Sequence, residues 1–384
     1  MRLADYTTIG LGGPARDFVR AGTTQELLEA VRAADACGEP VLILGGGSNL
    51  VVADEGFRGT VVQVATRGWH LDHGHLDHGL VTVAAGEDWD AVVARSVAEG
   101  LAGLECLSGI PGLVGATPIQ NVGAYGQEVS QTIAQVRVYD RTTGEILNIP
   151  NEQCGFGYRT SVFRGVDAFV VLSVSFRLAV QTRSAPVRYA ELATSLGVSV
   201  GDQAESTEVR AAVIELRQRK GMVIDPADPD TRSVGSFFVN PVLDGAALAA
   251  VEVAARTRCG PQTRVPRFDA GDGRVKVPAA WLIERAGFGK GYHSGDGARI
   301  SAKHTLALVN SGSASTAGLM ALAREIRDGV RDAFGVSLAA EPVLVGGGRL
   351  TRGAPPPPPP GRVSAAGRAC WSRRRRSRRR ADLA

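Results

Sequence analysis

A chain of 384 residues, 44% hydrophobic and 21% charged, is long enough to bury the cores of two or three domains, and no stretch reaches the ~18 uninterrupted apolar residues of a membrane span. The net charge of +4 does not describe the body, because residues 347–384 carry 11 Arg against one acid. What precedes them is mildly acidic, so nucleic acid is not an expected partner of the folded part. Five scattered cysteines, Cys37, Cys106, Cys154, Cys259 and Cys370, contain no C-x-x-C pair, which argues against a disulfide framework and a zinc site; without a basic-then-apolar leader, a cytoplasmic protein is expected.

In chain order, Thr23 to Gly38 reads as the first helix, with Thr23 or Thr24 as cap, Leu27, Leu28, Val31 and Ala34 at helical spacing, and Gly38 as the stop. Val41 to Val52, VLILGGGSNLVV, reads as strand, tight turn, strand. Gly45, Gly46 and Gly47 can take positive φ, so the backbone can turn several N–H groups toward one point. Ser48 and Asn49 add side-chain donors, and a pyrophosphate suits that concavity. An ordinary hairpin turn accounts for the same glycines. The spacing is neither G-x-G-x-x-G nor G-x-x-x-x-G-K-S/T, so a dinucleotide bound here would occupy a different fold from those two motifs.

Thr60 to Val64 and Leu80 to Ala84 read as paired strands around HLDHGHLDHG, residues 70 to 79, a duplicated five-residue unit. His70, His73, His75 and His78 reach one ion only if the loop folds back on itself. A tandem duplication at a hairpin tip explains them without a metal, and no metal is expected. Asp88 to Gly100 reads as a capped helix with Ala91, Val92, Val97 and Ala98 turned inward. Residues 101 to 126 hold six glycines and two prolines and cannot be one regular element. Such a segment is suited to wrapping a ligand that satisfies its N–H groups, although a tightly turned loop between strands would look similar.

Arg137 to Tyr139 and Phe169 to Leu178 read as strands, with GYRTSVFR, residues 157 to 164, in the loop between them. Thr207 to Lys220 and Asp244 to Arg258 read as helices separated by FFVNP. Pro278 to Gly287 is a short helix with proline at its start and glycine at its end, Leu306 to Asn310 a strand, and Ser315 to Phe334 an amphipathic helix stopped by Gly335. The mixture predicts an α+β, multi-domain architecture. From Gly346 onward, six prolines and RRRRSRRR predict disorder; the segment reads either as a polyanion-binding tail or as an unselected extension.

Taken together, GGGSN (45 to 49), SGIPGLVGATPIQNVGAYGQE (108 to 128), GYRTSVF (157 to 163), GSFFVNP (235 to 241) and AEPVLVG (340 to 346) occur in an order and spacing that resembles the UDP-N-acetylenolpyruvoylglucosamine reductase (MurB) family, over about residues 1 to 346. The resemblance implies a PCMH-type, vanillyl-alcohol-oxidase-like FAD-binding region of two subdomains, 1–64 (with 319–346 returning to it) and 65–180. A smaller α/β substrate-binding domain at 181–318 and the tail at 347–384 complete the chain. It further implies that NADPH reduces bound FAD, and that hydride passes to UDP-N-acetylglucosamine enolpyruvate to give UDP-N-acetylmuramate for peptidoglycan. A monomer is expected.

Carried over motif by motif, Gly45, Gly46, Gly47, Ser48 and Asn49 resemble the pyrophosphate contact, and Ile110, Gly115, Thr117, Gln120, Asn121 and Gly123 belong to the segment that holds flavin. An enol ether is electron-rich, so hydride adds to its terminal carbon only if the charge developing on the neighbouring carbon and carboxylate is stabilised. Arg159 resembles the guanidinium that meets this need. Glu341 resembles the carboxyl group that helps hold the same intermediate, as a hydrogen-bonding acid or as an orienter of Arg159, and Ser236 resembles the proton donor. Tyr189 and Lys220 resemble a diphosphate clamp and Asn240 a further substrate contact. Ala340 departs from the pattern, standing where a proline commonly precedes the glutamate. Two other readings are a PCMH-type oxidase of alcohols or sugars, against which GSFFVNP and GYRTSVF argue, and a polyanion-binding protein working through its arginine tail.

Overall fold

The computed structural model of the chain describes residues 1–72, 77–295 and 297–346. His73, His75 and the Pro/Arg-rich segment 347–384 lie outside the described residues. The principal elements are β1 (Ala15–Ala21), α1 (Thr24–Ala36), β2 (Val41–Leu44), β3 (Leu50–Val52), β4 (Phe57–Val64), β5 (Trp69–Asp72), β6 (His78–Ala84) and α2 (Trp89–Ala98). They continue with β7 (Ile133–Asp140), β8 (Glu145–Pro150), β9 (Phe169–Val180), α3 (Ala190–Leu196), α4 (Ser206–Arg219), β10 (Ser233–Ser236) and α5 (Gly245–Cys259). The last are α6 (Ala279–Arg285), β11 (Ala298–Ile300), β12 (Ala307–Asn310), α7 (Thr316–Phe334) and β13 (Val343–Val345).

The helix starts follow the capping rule. Thr23 and Glu26 form a capping box at α1, and Asp88, Asp244 and Ser315 each accept a backbone N–H at the starts of α2, α5 and α7, satisfying donors that no helix can satisfy itself. β1, β4 and β2 form a parallel three-stranded sheet in that order, with α1 as the crossover. An antiparallel sheet runs β8–β7–β9–β6–β5, and β10–β12–β11 form a third. Thr60–Val64 and Leu80–Ala84 are therefore not partners: β4 belongs to the first sheet and β6 pairs with β5 and β9. The hairpin that carries the duplicated histidine unit is β5–β6, a strand too short and polar to be read from sequence. Among the described residues no cluster of metal-ligating side chains occurs, and no helix is long and apolar enough to cross a membrane.

One core joins the first two sheets: Leu27 and Val31 of α1, Val62 of β4, Val81 and Val83 of β6, Val174 and Phe176 of β9, and Trp89 and Val93 of α2 are all buried in it. The buried face of α2 is rotated from the expected one. Trp89, Val92, Val93 and Ser96 follow an i, i+3, i+4, i+7 stripe and are buried, leaving Ala91 and Ala98 exposed, because the large indole at the first turn takes the core position. A second core gathers α5, α6, α7 and the third sheet around Phe237 and Phe238, and Ile9, Leu11 and Val51 reach into it from the N-terminal part. α7 packs with α5 and α6, its first residues hydrogen-bond Asp54 and Val52 of the N-terminal part, and β13 pairs in parallel with β3. A small third core holds Leu192, Val209, Val213 and Leu216 of α3 and α4.

Candidate active site

β2 and β3 flank the glycine turn without pairing to each other; β2 lies against β4 and β3 against β13. The turn is therefore a junction between sheets rather than a hairpin. Gly47 has φ +63, and a Cβ there would collide with the Tyr6 carbonyl, while a Cβ on Gly46 would lie 2.8 Å from Gly112 Cα. Only glycine permits this approach of two backbones. No described residue accepts a hydrogen bond from the backbone N–H of Gly45, Gly46, Gly47, Ser48 or Asn49, although the turn is largely enclosed. Successive N–H groups without a protein acceptor are what a pyrophosphate satisfies, so the residues present fit the phosphates of a dinucleotide.

The irregular segment after α2 lies directly against this turn. Trp89 N–H donates to the Gly112 carbonyl at 3.0 Å, Val114 N–H to Glu87 at 2.9 Å and Gly115 N–H to Ala85 at 2.9 Å, which fastens the segment to α2 and the end of β6. Ile110 is half-buried. Thr117 is buried and its hydroxyl donates to the Val114 carbonyl at 2.9 Å. Asn121 is 1% exposed; its Nδ2 donates to Glu128 Oε2 at 2.8 Å and to the Gly157 carbonyl at 3.1 Å, and its Oδ1 accepts from Ser130 N–H at 3.1 Å. Thr117 and Asn121 therefore use their side chains to shape the wall, and Asn121 fastens the loop that bears Arg159.

Arg159 sits in the left-handed region at φ 52, as do Asn121 and Tyr125, both at φ 49. Three strained residues on two facing segments mark a backbone held by its surroundings rather than by its own preference. The guanidinium is fixed by carbonyls of the same wall: Nη2 donates to Gly123 O at 2.8 Å and Nη1 to Asn121 O at 3.5 Å. A Cβ on Gly123 would lie 2.7 Å from Glu128 Cγ, 2.9 Å from the Gln127 carbonyl and 3.2 Å from Arg159 Nη1, so the glycine fits between its paired strand and the arginine.

Glu341 completes the group. Its Oε1 lies 3.3 Å from Arg159 Nε, and its side chain is 14% exposed. Burial pushes its carboxyl above the ordinary range, against the pull of the Arg159 and Arg164 guanidinium groups. Its backbone is held from two sides: Glu341 N–H donates to Phe237 O at 2.8 Å, and Val343 N–H donates to Asn49 O at 2.9 Å. Ser236 precedes Phe237 and ends β10. No described residue hydrogen-bonds the Ser236 hydroxyl, and Gly235 before it, at φ +75, leaves open space where a Cβ would stand. A half-buried arginine, a carboxyl group with raised proton affinity and a hydroxyl with no hydrogen-bond partner among the described residues thus share one wall, an arrangement that can bind a carboxylate and move a proton.

Tyr189 and Lys220 come together around Tyr125: the two tyrosine rings meet edge-on at 5.3 Å, and Lys220 Nζ lies 5.7 Å from the Tyr125 ring centre. Lys220 also pairs with Glu191 at 2.6 Å. Asn240 has a structural contact, its Oδ1 accepting from Ala279 N–H at 2.8 Å at the start of α6. Sequence reasoning missed Arg217 and His304. Arg217 is enclosed; burial draws its guanidinium down to about 10, its Nη2 reaches Met222 O at 2.8 Å, and its Nε has no partner among the described residues. It lines a small cleft with Thr8, Pro111, Gly221, Thr231 and Gly235. Burial, helped by Lys220, Lys290 and Arg217, lowers His304 to about 4. The position of Arg217, one helical turn before Lys220, was the only sequence signal that could have linked them.

Comparison with known proteins gives the same picture for the whole described chain. Residues 225–345 match the UDP-N-acetylenolpyruvoylglucosamine reductase C-terminal domain, and residues 15–150 match an FAD binding domain. The chain is 57% identical over 346 residues to the UDP-N-acetylenolpyruvoylglucosamine reductase of Thermobifida fusca, covering 90% of this chain and 96% of that one. To that of Saccharopolyspora erythraea it is 59% identical over 347 residues, covering 89% and 94%. Among solved structures, the crystal structure of the Thermus caldophilus UDP-N-acetylenolpyruvylglucosamine reductase (MurB) matches with a TM-score of 0.58 at 26% identity, covering 90% of this chain and 98% of that one.

Proposed function

The chain belongs to the UDP-N-acetylenolpyruvoylglucosamine reductase family, and from that premise we propose how its residues divide the work. It is an FAD-dependent UDP-N-acetylmuramate dehydrogenase that uses NADPH in peptidoglycan precursor synthesis. The observation that carries the assignment of roles is the enclosed contact of Arg159 with Glu341, held by backbone pairing beside Ser236.

Gly45 to Asn49 would hold the pyrophosphate of FAD through their backbone N–H groups, and the segment from Ile110 to Gly123 would wall the flavin. Bound FAD supplies a relay for hydride from NADPH to the terminal carbon of the enolpyruvyl ether. Arg159 grips the substrate carboxylate, which keeps the negative charge developing on the neighbouring carbon delocalised into an aci-carboxylate. Glu341, with its raised proton affinity, donates a hydrogen bond to the same carboxylate instead of repelling it. Ser236 Oγ then gives its proton to the carbon next to the ether oxygen, closing the new C–H bond, and regains a proton from solvent. Tyr189, Lys220 and Arg217 would hold the diphosphate of the substrate UDP-N-acetylglucosamine enolpyruvate.

The domain division that goes with this reading is an FAD region at 1–64 and 65–180 joined by residues near Glu341, with a substrate domain at 181–318. A monomer in the cytoplasm follows from the same reading. The test begins with an absorbance spectrum of the purified protein and NADPH oxidation with and without substrate. Ser236→Ala should retain bound flavin that NADPH bleaches, yet lose product formation by about two to four orders of magnitude. A Ser236→Ala protein that forms product at the normal rate would overturn the assignment.

A further inference from the structure

The side chain of Gln120 links the glycine turn to the Glu341 carboxyl group. Asn49 Nδ2 donates to Gln120 Oε1 at 2.9 Å, and Gln120 Nε2 faces Glu341 Oε1 at 3.3 Å. The first bond settles the direction of the second. With its oxygen already accepting from Asn49, Gln120 can offer only N–H to Glu341. Arg159 Nε meets the same Oε1 at 3.3 Å, and a guanidinium too is a donor without an acceptor. A proton placed on Oε1 would point at other protons. Oε2 has no hydrogen-bond partner among the described residues and is the only oxygen of Glu341 on which a proton meets no opposing donor.

We propose that Gln120, oriented by Asn49, is a positioning residue that gives the two oxygens of Glu341 separate roles: Oε1 is the standing acceptor, and Oε2 carries the proton offered to the substrate carboxylate. The proposal rests on the reading of Glu341 given above. The charged and titratable groups that face Glu341 are Arg159, Arg164 and Tyr158, all from the loop after Phe156; the two guanidinium groups can only donate, and the Tyr158 hydroxyl is not among the hydrogen-bond partners of Oε1. The arrangement is closed on itself, since Val343 N–H returns to Asn49 O at 2.9 Å. Asn49, Gln120 and Glu341 therefore form a ring of contacts in which no member can rotate alone, which is what a fixed proton position requires. Because an N–H donor favours the carboxylate over the acid, Gln120 also holds the proton affinity of Glu341 below what burial alone would produce.

The experiment compares Gln120→Leu and the isosteric Gln120→Glu with the wild-type flavin-loaded protein. One readout is the pH profile of kcat. The other, taken without substrate, is infrared titration of the carboxylic-acid carbonyl band of Glu341, identified by its loss in Glu341→Gln. In both variants the band should persist to higher pH, by about one unit, and the alkaline limb of kcat should move with it, while kcat at neutral pH falls roughly tenfold or more. The isosteric variant preserves packing, so failure of the leucine variant to fold leaves the comparison intact. An unmoved band, or a moved band with unchanged kcat, would overturn the role of Gln120. Full turnover in Glu341→Gln would overturn the reading of Glu341 itself.

Discussion

The Glu341 N–H donates to the Phe237 carbonyl at 2.8 Å, so the residue expected to hold the substrate carboxylate is one backbone bond away from the neighbour of the expected proton donor, Ser236. The pairing continues through the bridge between Phe238 and Ala340 and the bond from Val239 N–H to Ala339 O at 3.0 Å. A carboxyl group and a hydroxyl proposed to act on adjacent atoms of one substrate are thus carried on the same backbone ladder. Their separation is set by the ladder and not by side-chain choice, which suits chemistry that tolerates little misplacement.

Gly46→Ala should abolish tight flavin binding while leaving most of the fold. Its Cβ would stand 2.8 Å from Gly112 Cα, forcing apart the turn and the segment that would enclose the cofactor. A loss of about 3 kcal/mol in affinity would raise the FAD dissociation constant more than a hundredfold. Flavin fluorescence released on dialysis measures this directly, and a yellow, dialysis-stable variant would show that the turn does not hold the pyrophosphate.

Asn121→Ala should lower both stability and turnover. The buried amide meets three partners, Glu128, Gly157 O and Ser130 N–H, and alanine would leave them unsatisfied while being less tolerant of φ 49. About 2–3 kcal/mol of destabilisation is expected. Because the same amide holds the Arg159 loop, kcat should fall more than the unfolding midpoint suggests. Urea unfolding followed by turnover measured well below the midpoint separates the two effects.

The elements that sequence patterning identified were those whose cause is local. Thr23, Asp88, Asp244 and Ser315 are caps wherever the chain goes, and Gly335 ends α7 at φ 71 because few other residues would. Partnership was not legible: β2 and β3 are adjacent in sequence and belong to different sheets, and nothing in VLILGGGSNLVV says so. Arg159, Ser236 and Glu341 were singled out only through motifs, since a lone serine before two phenylalanines has no chemical signature. Burial hid Arg217, a charged residue on a helix of low amphipathic contrast that only tertiary packing encloses. Asn240 came from the same motifs, and in the fold its side-chain oxygen accepts from Ala279 N–H at the start of α6, a contact with no sign in the sequence.

Arg217→Met should weaken ligand binding without unfolding the protein. The guanidinium is enclosed, its Nε lacks a partner among the described residues, and burial has drawn it down to about 10. A phosphate group would satisfy it, whereas an unbranched apolar side chain of similar reach relieves the burial penalty in the free protein. UDP alone should bind roughly tenfold or more weakly by calorimetry, with thermal stability equal or higher. Unchanged UDP affinity would assign Arg217 to the fold and remove it from the proposed diphosphate site.

His304 gives the fold an acid-sensitive limb. Burial, followed by the charges of Lys220, Lys290 and Arg217, lowers it from 6.5 to about 4, with Glu191 opposing. In the unfolded chain the imidazole takes a proton near its ordinary value, whereas in the folded state it stays neutral until well below. The unfolded state therefore binds more protons between those two values, and stability falls as pH drops through that window. At most about 3 kcal/mol is at stake, the full difference in proton affinity expressed as free energy. His304→Gln, which does not titrate, should show a flatter stability curve from neutral pH down to about 4, converging with the wild-type slope below it. Denaturant unfolding at fixed pH values checks the sign. Parallel curves for variant and wild type across that window would mean that His304 takes up its proton in the folded state, and the cationic surroundings of the proposed diphosphate site would then be weaker than its geometry implies.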